Sequence, residues 1–141
     1  MNLTNENLFS QSYTNIKNFL NGISGLDPRS RFKANWIHAS MPNVNKKGFD
    51  GYPFIVLTVN VSEEKKSFDS SISEKIFRCL IAVYSDDPGQ VDAISDLIRS
   101  NLNDIDFQVK ELSNSPMAWN LDLNGKKISF RNIGIMGRSR I

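Results

Sequence analysis

Two long apolar strands followed at once by a capped helix constrain the fold of this chain more than any other feature. The strands are predicted at 53–61 and 74–85, and the helix at 88–102. Apolar residues occupy alternate positions of both strands and several of the intervening positions as well. Such two-sided apolarity is typical of strands covered on both faces. A hairpin of this kind beside a helix predicts an α+β domain.

The helix at 88–102 has clear signals at its start. Asp87 is a good N-cap, Pro88 suits the first helical position, and Gln90 has the capping-box spacing from Asp87. Arg99 lies near the C-terminal end, where the helix dipole favours a cation. The predicted buried stripe consists of Val91, Ile94, Leu97, Ile98, Leu102 and Ile105.

A second helix is predicted near the N-terminus, after Thr4 and before Gly22 and Gly25. Alternation over 31–39 predicts a first strand, and 40–52 predicts a long loop. The stripe of the N-terminal helix consists of Leu8, Phe9, Tyr13, Ile16, Phe19 and Leu20.

The charged segment 62–71 lies between the two long strands. It predicts either a solvated hairpin tip or an arm that reaches a neighbouring protomer. Two helices in a chain of 141 residues cannot easily cover both faces of a sheet. We therefore expect the second face of the central strands to meet another subunit.

The C-terminal third predicts more strands. Residues 107–112 alternate, and Asn124-Gly125 is the strongest short hairpin signal, since both positions of a type I′ turn need positive φ. A two-residue turn there places Leu121 opposite Ile128 and Trp119 opposite Phe130, with Asp122 opposite Lys127 and Asn120 opposite Ser129. Beyond Phe130 the apolar alternation changes phase, which predicts a bulge or the end of the strand near 132–134. Residues 131–141 are expected to form an extended C-terminal arm.

These patterns together predict one α+β domain over residues 1–141. Its sheet is mainly antiparallel with two helices packed on one face, in the order α-β-β-β-α-β plus a C-terminal β-hairpin.

Composition excludes several classes of protein. The 40% hydrophobic and 23% charged fractions indicate a folded globular chain, and a net charge of +2 does not by itself indicate a nucleic-acid partner. The single cysteine rules out an intramolecular disulfide and a zinc cluster built from cysteines. Neither a secretory signal pattern nor an apolar run near the ~18 residues of a membrane helix is present, so we expect a soluble protein with no membrane partner.

The sequence offers few candidates for catalysis. His38 is the sole histidine and alternates with Trp36 on a predicted strand, where a packed histidine is more common than a catalytic base. Cys79 lies within an apolar strand and is expected to be inert. The acids near the sheet edges fall in predicted loops rather than around one cleft; they are Asp50, Glu63, Glu64 and Asp69. We therefore expect no enzyme activity, no cofactor and no metal.

Basic residues are concentrated near the C-terminus, without an acid among them: Lys126, Lys127, Arg131, Arg138 and Arg140. Three interpretations remain open. The stretch could bind phosphate, dock on an acidic surface of a partner or a neighbouring subunit, or form a solvated edge that discourages strand pairing.

The order of elements is similar to that of the tail-terminator and tail-completion (neck) proteins of tailed bacteriophages. The resemblance rests on the Tyr52-Pro53-Phe54-Ile55-Val56 strand opening, on Leu80-Ile81-Ala82-Val83-Tyr84-Ser85, and on the helix from Val91 to Leu102. The N-terminal helix is similar in placement to the first helix of that family. The similarity covers about residues 5–105, and the C-terminal hairpin is a departure from it.

The resemblance implies a ring, usually hexameric, that caps the growing tail tube, stops its polymerisation and joins it to the head. The partners would be other copies of the chain, the tail tube protein and the head–tail connector, with DNA only passing through the lumen. The protein would belong to the virion and assemble in the host cytoplasm. The candidate interface residues are Lys46, Lys47, Glu63, Glu64, Lys65, Lys66, Phe68, Arg131, Arg138 and Arg140.

Two alternatives stand beside this expectation. One is a head-completion or connector adaptor, which would also be a structural ring protein. The other is a small protein that binds or processes nucleic acid. Salt-sensitive binding to DNA, or cleavage lost on alanine substitution of Asp50, Glu63 or Glu64, would favour the second.

Overall fold

The computed structural model describes residues 8–28, 36–44, 49, 51–66, 73–102, 108–121 and 125–140. The predicted α+β class and order of elements are confirmed. The elements are α1 (Leu8–Gly22), β1 (Ile37–His38), β2 (Phe54–Lys66), β3 (Ser73–Ser85), α2 (Pro88–Ser100), β4 (Gln108–Asn114), β5 (Ala118–Leu121) and β6 (Lys127–Arg140).

The strands form one six-stranded sheet in the order β1-β2-β3-β6-β4, and β5 pairs with β6. Strand β1 is parallel to β2, and every other pairing is antiparallel. Strands β4 and β5 follow one another along the same edge of β6. Strand β6 therefore lies between β3 on one side and β4 and β5 on the other.

Both helices pack on one face of the sheet, as predicted. Ile16 and Leu20 of α1 and Val91 and Ile98 of α2 are fully buried against that face. The strand residues beneath them alternate along β2, β3 and β6 and belong to the same core: Ile55, Leu57, Val59, Cys79, Ile81, Val83, Ile133 and Ile135. Burial of these side chains is the main stabilising contribution to the fold.

The stripe predicted for α1 packs as expected where the structure describes its side chains. Tyr13 and Phe19 are partly buried beside the fully buried Ile16 and Leu20. Gly25 follows the helix with φ of +74°, a conformation that favours glycine. The proposed start at Thr4 lies outside the described residues, as do residues 31–35 of the predicted first strand.

The start of α2 differs from the predicted capping box. Asp87 Oδ1 accepts a hydrogen bond from the N–H of Gly89 at 2.9 Å, as an N-cap should. Gln90, however, does not return to the N–H of Asp87. That N–H donates to Ser85 Oγ at 3.0 Å, and the Ser85 hydroxyl donates to Gln90 Oε1 at 2.9 Å. The last residue of β3 therefore takes over the role predicted for Gln90.

The predicted stripe of α2 is correct at Val91, Ile94 and Ile98 but wrong at Leu97, which is exposed. Ser95 is buried in its place, because the helical spacing from Val91 to Ile98 puts residue 95 on the same side as both. Leu102 is partly buried against the core, and Ile105 lies outside the described residues.

The first part of the charged segment, up to Lys66, belongs to strand β2 and is not a hairpin tip. Strands β2 and β3 stay paired there after a register shift between Val61 and Glu63. The register sets Glu64 opposite Lys75 and Lys65 opposite Glu74. Residue types of opposite charge in register favour strand pairing over a loop. Residues 67–72 lie outside the described part of the chain.

The predicted C-terminal arm is instead a central strand. Residues 131–140 continue β6 and pair with β3 along their whole length, from Val83 opposite Arg131 to Glu74 opposite Arg140. Strand β4 pairs with their other side. The prediction failed because it treated the glycines and polar residues as an unpaired tail, although pairing on both sides needs no continuous apolar pattern.

The bulge predicted in β6 is also wrong. The pairing of β6 with β3 is unbroken, and the shift near it lies in β4, between Glu111 and Ser113. The apolar phase changes because β6 is covered on different faces along its length. Ile128 and Phe130 point to the face without helices, whereas Ile133 and Ile135 point to the helices.

The register predicted for the C-terminal hairpin is wrong by one residue. Trp119 lies opposite Ser129 and Ala118 opposite Phe130. Leu121 lies opposite Lys127, a register that a two-residue turn at Asn124-Gly125 does not give, although Gly125 has the positive φ expected there, +77°. The small Ala118 beside Phe130 leaves room for the Phe130 ring to stack on Tyr84.

Candidate interaction surface

The face of the sheet opposite α1 and α2 (the helix-free face) carries a ladder of aromatic rings at one end. Phe54, Tyr84 and Phe130 occupy adjacent positions of β2, β3 and β6. The ring centroids of Phe54 and Tyr84 are 5.0 Å apart, and those of Tyr84 and Phe130 are 5.3 Å apart, both in stacked geometry. Cross-strand aromatic pairs of this kind stabilise a sheet.

The loop before β2 covers this ladder. Tyr52 stacks on Phe54 at 5.6 Å between ring centroids, and Phe49 meets Phe54 edge-on at 5.7 Å. The Lys126 ammonium lies 5.7 Å from the centroid of the Tyr52 ring. Phe54 is consequently fully buried on the face that has no helix. The chain itself therefore covers this end of the second face, where the sequence predicted another subunit.

The other half of the helix-free face is open along the described strands. Thr58, Leu80 and Gly134 form one cross-strand row, and Asn60, Arg78 and Met136 form the next. Leu80 is 41% exposed although it lies in the middle of a central strand. We call the two rows together the Leu80 patch.

The Leu80 patch contains an open depression. Its lining residues are Thr58, Asn60, Arg78, Cys79, Leu80, Gly134 and Ile135. Gly134 has no side chain, so the backbone of β6 forms the floor there. An apolar centre with polar residues around it is typical of a surface that another protein covers.

The predicted interface residues are only partly in view. Lys46, Lys47 and Phe68 lie outside the described residues. Glu63, Glu64, Lys65 and Lys66 belong to β2, and Arg138 and Arg140 belong to β6; their backbones are described and their side chains are not. None of these residues belongs to the two cross-strand rows that define the Leu80 patch.

Arg131 has a structural role in the fold. Its Nε donates to the carbonyl oxygen of Ser115 at 3.0 Å, and its Nη1 donates to Asp92 Oδ1 at 3.0 Å. Arg131 therefore joins β6 to α2 and to the link between β4 and β5. Its guanidinium is mostly buried and is engaged within the chain.

Two further cations of the basic C-terminal stretch also have partners within the chain. Lys126 Nζ lies 2.7 Å from Asp86 Oδ2, and Lys127 Nζ lies 4.9 Å from the centroid of the Trp119 ring. Contacts of this kind at the surface contribute little to stability. The carboxylate of Asp86 does offset the positive charge that Lys126 would present to phosphate.

The few residues that could carry chemistry are packed in the structure. His38 meets Phe54 edge-on at 5.8 Å. Cys79 is buried, and desolvation raises the pKa of its thiol to about 12. Among the residues that the structure describes, no group of three acidic, histidine or cysteine side chains could hold a metal ion. Asp50 and Asp69 lie outside that set.

Sequence reasoning missed the aromatic ladder and the Leu80 patch as separate regions of one face. The alternation of β2 and β3 predicted two apolar faces for both strands, but the pairing of β3 with β6 was not predicted. That pairing decides that Phe130 completes the ladder and that Gly134 leaves Leu80 exposed.

No protein-family model matches the sequence, and no curated protein matches it. No helix within the described residues is both long enough and apolar enough to cross a membrane.

Proposed function

We propose that this protein is a structural subunit that assembles with its own copies into a ring, and that the ring caps the tail tube of a tailed bacteriophage. The ring would stop polymerisation of the tube and join it to the head. Two observations support the proposal: the resemblance of residues 52–56, 80–85 and 91–102 to tail-completion proteins, and an α+β fold with both helices on one face.

The exposure of Leu80 is the single observation that carries the assembly part of the proposal. A leucine in the middle of a central strand is normally covered, because burying such a side chain is worth roughly 1.5–3 kcal/mol. The helices cover the opposite face, and Phe49 and Tyr52 cover only the aromatic end of this one. A second copy of the chain that covers the Leu80 patch would complete the burial.

A closed ring needs two different surfaces on each protomer, since a head-to-tail interface joins unlike patches. The Leu80 patch would supply one of them. Three parts of the proposal rest on the resemblance alone. They are the number of six copies in the ring, the contact with the tail tube protein and the contact with the head–tail connector.

Substitution of Leu80 tests the assembly directly. Leu80→Glu places a charge in the patch, and we expect it to abolish ring formation because a charge cannot be buried there without a partner. Leu97→Glu is the matched control, since Leu97 is also a partly exposed leucine, 36%, but lies on α2. The readout is light scattering with negative-stain images of the same samples, and circular dichroism verifies folding.

Three outcomes are informative. Rings formed by the Leu97→Glu protein and by the unsubstituted protein, but not by Leu80→Glu, support the proposal. Rings that survive Leu80→Glu contradict a role of the Leu80 patch. Binding to DNA that weakens steeply with salt, in a protein that never assembles, would instead favour the nucleic-acid alternative.

A further inference from the structure

Strand β5 forms an exposed and uncharged edge of the sheet. Ala118, Trp119 and Asn120 are all exposed, and Trp119 is 59% exposed. The segment 114–121 contains no charged residue. An exposed strand edge of this composition is a template for pairing with another strand.

The other described strand edges have features that oppose pairing. Strand β4 contains Lys110 and Glu111 and the register shift that follows them. On β2, the N–H of Ile55 donates to the carbonyl of Trp36 at 2.8 Å, so alternate residues of β2 direct their backbone groups away from β3. The next two such residues, Leu57 and Val59, are almost completely buried.

The hydrogen-bond pattern shows which groups of β5 face outward. Ser115 N–H donates to the carbonyl of Asn132 at 3.0 Å, so the even-numbered residues of β6 direct their backbone groups toward β4 and β5. Phe130 and Ile128 are the partners of Ala118 and Asn120. The backbone N–H and C=O groups of Trp119 and Leu121 therefore point to the open edge.

We propose that the edge of β5 is a self-association site, at which a second copy of the chain adds its own β5 in antiparallel orientation with Trp119 opposite Trp119. The edge is self-complementary in this register, because each Trp119 both donates and accepts one backbone hydrogen bond across a two-fold axis. The two indoles then lie side by side on one face of a continuous sheet, where aromatic pairs are favourable.

This site is separate from the one used in the proposed function. Trp119 lies in register with Ser129, on the opposite face from Gly134 and five residues away from it, about 16 Å along β6. Substitutions at one site leave the other unchanged. Failure of the ring and failure of the β5 pairing can therefore be observed independently.

The test measures the monomer–dimer equilibrium by analytical ultracentrifugation in a Leu80→Glu background, where the proposed ring does not form. We expect this parent protein to dimerise. Trp119→Lys should weaken the dimer by at least about tenfold, because a tryptophan anchor is lost and a charge enters the edge. Leu121→Pro should weaken it similarly, since it removes an outward N–H and leaves the pairing with β6 intact.

Met41→Lys is the matched control, because Met41 is also an exposed apolar side chain, 55%, but follows β1, which lies at the other edge of the sheet. It should dimerise like the parent. A parent that stays monomeric at every concentration, or a Trp119→Lys protein that dimerises like the parent, overturns the proposal.

A cysteine at position 119 tests the register. Trp119→Cys should give a disulfide-linked dimer on mild oxidation, because only a two-fold pairing brings residue 119 next to its own copy. Cys79 does not compete, since it is buried and burial raises its thiol pKa to about 12. Met41→Cys should remain uncrosslinked. Absence of the Trp119→Cys dimer overturns the two-fold register.

Discussion

Ser85 shows how a single buried hydroxyl can connect a strand to a helix. Its side chain is inaccessible to solvent, accepts from the N–H of Asp87 and donates to Gln90. It thus satisfies one of the backbone donors that the start of a helix leaves free. The sequence predicted the cap at Asp87 but assigned this second bond to Gln90, because capping-box spacing is visible in sequence and the end of a paired strand is not.

Ser85→Ala should lower the free energy of unfolding by about 1–2 kcal/mol, because it removes two part-buried hydrogen bonds and leaves the N–H of Asp87 without its acceptor. Ser100→Ala is the control, since the Ser100 hydroxyl donates to the Leu97 carbonyl at 3.0 Å but is exposed. Urea denaturation should show little change for the control. An equal effect of both substitutions would contradict the role of Ser85.

Cys79 should make stability depend on pH. Its folded pKa of about 12 lies above the ordinary thiol value of 9.0, so an unfolded chain loses this proton at lower pH than the folded chain. Stability is therefore complete below pH 9 and decreases as pH rises toward 12. At pH 10 the loss relative to pH 8 should be on the order of 1 kcal/mol.

Urea denaturation at pH 8, 9 and 10 measures this loss, and Cys79→Ala should remove most of it. Burial also raises the pKa of Tyr13 and Tyr84 above the ordinary value of 10.0, so these phenols add a loss of the same sign near pH 10. The difference between the unsubstituted protein and Cys79→Ala at each pH therefore isolates the thiol. The same pH dependence in Cys79→Ala would show that the thiol is not responsible.

At the scale of elements, Arg131 holds three parts of the fold together. It joins β6 to α2 through Asp92 and to the link between β4 and β5 through the Ser115 carbonyl. The sequence suggested an interface role because Arg131 belongs to a basic stretch. Its hydrogen-bond partners, Ser115 and Asp92, lie 16 and 39 positions away along the sequence. A pattern of neighbouring residues cannot predict contacts of that separation.

Arg131→Met should lower the free energy of unfolding by about 1–3 kcal/mol, because the Ser115 carbonyl loses its charged donor in a partly buried site. Asp92→Ala removes only the exposed ion pair and should cost at most about 1 kcal/mol. Denaturation curves of both variants, with and without added salt, separate the two contacts. A cost for Asp92→Ala equal to that of Arg131→Met would contradict this assignment.

The sequence predicted an element well where its buried residues recur at a single helical or strand spacing. The helices and the paired strands β2 and β3 are examples, since α1 and α2 each show one apolar stripe. The C-terminal half of β6 escaped prediction because the two halves bury opposite faces: Phe130 packs in the aromatic ladder and Ile133 against the helices. The Leu80 patch depends on the pairing of β3 with β6, which places Gly134 beside Leu80. The sequence therefore predicted a second apolar face but not which residues of that face are exposed.

At the scale of the whole molecule, the two faces of the sheet are covered unequally. One face holds both helices and the main core, and the other is covered at its aromatic end and open around Leu80. The proposed ring and the proposed pairing through β5 would use two different surfaces of the molecule.

The most direct test of this account is the mass and shape of the purified, unsubstituted protein. Light scattering over a concentration series gives the mass, and negative-stain images of the same samples give the shape. The account predicts a closed ring of several copies at the higher concentrations. A protein that remains a strict monomer throughout would contradict self-assembly through the Leu80 patch and leave the resemblance to tail-completion proteins as the sole support.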